Sequence, residues 1–232
     1  MNSKSSKDAP LQITDANQHP AELEHLLIQH LRRLEDVEKG GNTLDAARVR
    51  LDIAEVASQL GRVGEAWTQA RLAFDTFLEQ ESWQDAVEAC EILYRTGHDS
   101  AITALINGVW LGVTYPIDPQ TSIVMLHHLV DETPIETEGA AVAAAAGHYI
   151  AHLRAEDDQQ ENLSFMTSQV LARVAKAQRN IEEPDMISMW MDMLGLNDPA
   201  RLLPALGRML DAVNGDNWWY DRDALRARLP VN

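Results

Sequence analysis

From residue 20 onward, apolar side chains recur at three- and four-residue spacing, and almost every run is bounded by glycine or by an acidic residue followed by proline. That period lays one apolar stripe along a helix, whereas a half-buried strand needs strict alternation, which no segment offers. The chain is therefore expected to be all-α. Over residues 21–39, Leu23, Leu26, Leu27, Leu31, Leu34 and Val37 form the first stripe, and Gly40-Gly41 ends it. The next helix starts near Thr43, places Ala47, Leu51, Ala54, Ala57 and Leu60 inward, and stops at Gly61. A third covers 64–80, and a fourth, capped by Ser82, runs to Gly97 with Val87, Cys90 and Leu93 inside. Very short turns between such helices predict antiparallel hairpins.

The second half repeats the punctuation with different contents. Residues 100–117 carry no charge and are expected as a central core helix or a subunit interface. Asn107, two glycines, Pro116 and flanks without basic residues argue against a membrane span there. Asp118-Pro119, Glu183-Pro184 and Asp198-Pro199 each read as an N-cap followed by proline at the first helical position. Between them, helices are expected over about 136–155, where an alanine run permits close packing, and from the acidic 156–158 to Arg179. Pro204 predicts a bend or a late start in the helix that ends at Asn214-Gly215, and a last short helix is expected over 221–229. Residues 1–20 read as a disordered tail with neither a secretory core nor an anchor. The organisation expected is that tail, a repeat-like region over 21–97, and a helical region over 98–232 packed on it.

Residues 47–80 resemble one tetratricopeptide unit, a helix-turn-helix of about 34 residues. Ala54, Ala66 and Ala73 fall at the family's small positions, Ile53 at its leucine and Gly61 in its turn, with the likeness extending to residue 96. Ala57 and Ala70 stand where the family carries larger residues, and Ala86 follows Ala66 by 20 residues, so the period does not recur. The resemblance implies a right-handed α-solenoid whose concave face binds a peptide or helix of another protein, and it implies no catalytic residue.

Charge and motif content narrow the function classes. With 36 acidic against 19 basic residues the net charge is −17, which disfavours nucleic-acid binding and suits a basic partner. Cys90 is the sole cysteine, on an apolar face, so neither a disulfide nor a cysteine-based zinc cluster forms within one chain, and a cytoplasmic setting is expected. No glycine-flanked serine elbow or phosphate-binding glycine loop is present, and acid pairs such as Glu182-Glu183 read as solvated surface. No cofactor is expected.

Three constellations remain. His148 and His152, four apart, share a helix face as metal-binding pairs do, and His128 with Glu132 repeats the spacing, as does His127 with Asp131. An antiparallel hairpin turning near Pro134 separates those pairs along its axis, so structural histidines are the alternative. Trp218, Trp219 and Tyr220 either dock a partner or fold back to seal the helical stack. On the helix from Pro184, the residues Ile187, Trp190, Met191 and Leu194 suffice for a core face, leaving Met186, Met189 and Met193 on another face as adaptable contact surface. The leading expectation is a protein-binding adaptor or assembly chaperone recognising a helix or peptide, with self-association also open. The alternative is a metal- or cofactor-dependent helical enzyme built on the His-x3-His pair.

Overall fold

The computed structural model describes residues 20–229, and the expected tail up to residue 19 lies outside the described residues. Within them the protein is all-helical and holds no strand. Four helices come first: α1 (Pro20–Gly40), α2 (Thr43–Gln59), α3 (Val63–Glu79) and α4 (Trp83–Arg95). Their turns use the chemistry that the sequence offers. Asn42 accepts from the Asp45 N–H at 3.1 Å to cap α2, while Gly41, Gly61 and Gly97 adopt positive φ where an L side chain would be strained.

The chain continues through α5 (Ala101–Thr114), α6 (Pro119–Asp131), α7 (Glu138–Arg154) and α8 (Asp157–Arg179). It ends in α9 (Pro184–Leu194), α10 (Pro199–Asn214) and the short α11 (Arg222–Arg226). Asp118 accepts from the Thr121 N–H at 3.1 Å and Asp198 from the Ala200 N–H at 2.9 Å, so two of the three acid-proline starts are capped by their acid. Glu183 precedes the third without a side-chain cap. Pro204 does not delay α10, which begins at Pro199 and carries the proline inside it. The final helix is shorter than expected, because Asp221 caps it and it frays into a turn by Ala227.

Helices adjacent in sequence pack in pairs, from α1 against α2 through to α8 against α9, and α10 returns to lie on both α7 and α5. Two apolar cores result. Leu23, Leu27, Val49, Ile53 and Val56 build a small one between α1 and α2, and the large one runs from α2 to α11. The uncharged helix α5 sits at the centre of the large core and buries ten residues, including Asn107 and two glycines. Its own chain covers it on the α4, α6 and α10 sides, so α5 is a core helix. Gly108 makes that possible, since a Cβ there would stand 2.6 Å from Cys90 Cβ of α4. The alanines of α7 serve the same end, with residues 140–146 all buried.

Candidate functional site

The histidine pairs stand apart. His128 and Glu132 face α4: Tyr94 Oη donates to Glu132 at 2.6 Å, and His128 Nε2 lies 4.0 Å from Glu91, too far for a direct hydrogen bond. His128 holds the Glu91 carboxyl below its usual range, and burial beside Glu132 pushes the Tyr94 phenol up to about 12. His127 pairs with neither, and its buried Nε2 has no hydrogen-bond partner among the described residues. His148 faces α8 and the exposed His152 stands beside it, with ring centroids 4.3 Å apart. Among the described residues, no three His, Cys, Asp or Glu side chains converge as a metal site requires. The two pairs thus form two separate local networks, as the hairpin geometry requires.

His148 is nonetheless a specific feature. Its Nδ1 lies 3.1 Å from Thr167 Oγ1, and that hydroxyl donates to the Leu163 carbonyl at 2.8 Å. With the Thr167 proton directed to the Leu163 carbonyl, the hydroxyl oxygen accepts from His148; in that tautomer the imidazole proton sits on Nδ1 and Nε2 is an acceptor. Burial, with His152 beside it, pulls His148 down to about 4, so the ring is neutral at physiological pH. The sequence reading did not single out Thr167. The signal was present: it lies in the inward stripe Leu163, Thr167, Leu171, Val174, a polar residue where the spacing demands an apolar one.

The aromatic triplet folds back onto its own chain. Asn107, fully buried in α5, accepts from the Trp219 N–H at 3.1 Å through Oδ1 and donates to the Thr103 carbonyl at 2.8 Å. The Tyr220 hydroxyl donates to the Asn107 carbonyl at 2.7 Å. Trp219 meets Phe74 edge-on at 5.2 Å and lies under the Arg71 guanidinium at 4.0 Å, while Arg222 covers Trp218 at 3.8 Å. These rings are occupied by internal contacts on α3, α5 and α11, and all three remain only half-buried. Arg71 was likewise missed in sequence, although it shares a stripe with Trp67 and Phe74.

α9 presents the contrary case. Trp190 and Met191 are buried and Ile187 and Leu194 pack on the core, whereas Met186, Met189 and Met193 are 48%, 57% and 84% exposed. The Pro184 start and the Gly195 stop, at φ +71°, fix the helix so that these three thioethers share one outward stripe. Exposed Asp185 and Asp192 stand beside that stripe at helical spacing. Comparison with protein-family models, with curated proteins and with solved structures finds no match to this chain.

Proposed function

We propose that this protein is a protein-binding module, an adaptor or assembly chaperone of the cell interior, whose contact surface is the outer face of α9 and whose ligand is a basic amphipathic helix. The observation that carries the reading is the methionine stripe. Three unbranched, polarizable side chains left in water on a helix whose opposite side packs on the core form a surface that adapts to apolar ligands of different shape. Asp185 and Asp192 beside it, within a chain of net charge −17, favour a ligand with lysine or arginine on its polar face. The tetratricopeptide-like pairing of α2 with α3 fits a protein-binding reading, while α9 itself is carried by α8.

The test uses a fluorescently labelled Leu/Lys amphipathic peptide of about five helical turns. Anisotropy titration should give saturable binding to the wild-type protein. Met186→Ser, Met189→Ser and Met193→Ser together should weaken it roughly tenfold or more, since each thioether buries apolar area on contact. Asp185→Asn with Asp192→Asn should weaken it less and flatten its salt dependence. A Leu72→Ser control, at an exposed apolar position on α3, should bind as wild type does. Equal affinity of the triple methionine variant and the wild type would remove α9 from the proposal.

A further inference from the structure

The inner side of α9 carries a second feature, independent of the methionine face. Between α7, α8 and α9 lies a partly open groove of about 420 Å³, the size of ordinary small-molecule sites. His148 stands in its wall with Leu171, Ala172, Ile187 and Met191, and Ser168, Gln169 and Ser188 add neutral polar groups. Among the described residues Glu182 is the one charged side chain that lines the groove, and Lys176 neutralises it with an ion pair of 2.8 Å. Asn197, which also lines it, is already engaged by Asp192 at 2.6 Å. With Thr167 donating to Leu163 and accepting from His148 Nδ1, Nε2 is the lone-pair nitrogen, and among the described residues no hydrogen bond reaches it.

We infer that this groove binds a small, uncharged, largely apolar molecule bearing one O–H or N–H donor, which His148 Nε2 accepts while Leu171, Ala172, Ile187 and Met191 enclose the apolar body. Three properties of the groove match such a ligand. The volume admits such a molecule, the lining holds no unpaired charge that would select an ion, and the one oriented acceptor has its other nitrogen tied down by a buried hydroxyl. Burial of His148 keeps the acceptor unprotonated through the physiological range. A neutral ring so held discriminates by the donor, because a ligand without one leaves the lone pair desolvated and unmet.

The experiment compares 2-naphthol with 2-methoxynaphthalene, which have the same rings but differ in the donor, by ligand-observed NMR with competition and by the ¹⁵N shift of the His148 imidazole. Binding of 2-naphthol with an upfield change at Nε2, and an affinity for the ether lower by about tenfold, supports the inference. Ile187→Trp, which fills the groove, should abolish binding while circular dichroism and the peptide titration of the α9 outer face stay as in wild type. Thr167→Val, which frees the ring to adopt either tautomer, should narrow the difference between the two probes. Equal affinities for both naphthalenes in the wild type, no binding of 2-naphthol, or binding that survives Ile187→Trp would overturn it.

Discussion

α5 and α9 are the two most apolar helices among the described residues, yet one vanishes into the protein and the other keeps three large side chains in water. α5 holds Ala101, Leu105, Ile106, Val109, Trp110 and Leu111 in the core, with α4, α6 and α10 around it and the Asn214–Tyr220 connection closing its remaining side through Asn107. α9 leans on α8 and its neighbours by one face alone, burying Trp190 and Met191. Apolar content therefore does not set a helix's fate; the number of elements that cover it does. The difference also separates roles, since a helix enclosed on all sides fixes the fold, while one covered on a single side has surface left for a ligand.

The comparison is most easily broken at Gly108. Gly108→Val forces methyl groups against Cys90 Cβ, which cannot swing away as the Met125 terminus can, and should destabilise the protein by about 3 kcal/mol in urea denaturation. A wild-type midpoint would mean that α4 and α5 do not approach as closely as described. Asn107→Leu keeps the volume roughly but leaves the Trp219 N–H without its acceptor, at a cost of about 2 kcal/mol. Its tryptophan emission should shift to the red as the clasp loosens, and an unchanged spectrum would show that ring packing alone holds it.

The smallest effect expected is on pH dependence, and it belongs to the α9 side. The folded state keeps His148 neutral down to about pH 4, whereas an unfolded histidine takes its proton near 6.5, so the unfolded chain binds the proton first on acidification. The stability contributed by the neutral ring is whole above about pH 6.5 and is lost as pH falls toward 4. His127, also depressed by burial, adds the same sign. Denaturation midpoints should therefore fall between neutral pH and about pH 4.5, less steeply in His148→Asn, and amide exchange should rise in α9 before α5. Parallel slopes in the two proteins would exclude His148 as the source.

Most helix boundaries were legible because they depend on neighbours in sequence. Asp118-Pro119 and Asp198-Pro199 start helices through a local hydrogen bond, and Gly41, Gly61 and Gly97 stop them through their own φ. Pro204 does not delay the start of α10, since tertiary packing of Leu202, Leu206 and Leu210 against the core holds the helix through the missing donor. The division of α9 into an inner face and a methionine face was also readable, because a single helix's period decides it. Thr167 and Arg71 were not found, although each stood in an apolar stripe that should have marked it. The groove beside His148 could not be read at all, since it lies between three helices.

The sequence by itself determined that this protein is helical, where its helices begin and end, and which face of each is apolar, because those properties arise from dihedral preferences, caps and a 3.6-residue period acting over a few residues. Only the tertiary structure decided which apolar faces are covered. It drew Trp219 and Tyr220 onto Asn107 across more than a hundred residues of chain, left Met186, Met189 and Met193 uncovered, and kept the two histidine pairs apart. Those outcomes depend on which helices become neighbours in space, a choice made by burying the whole core at once rather than by any single segment.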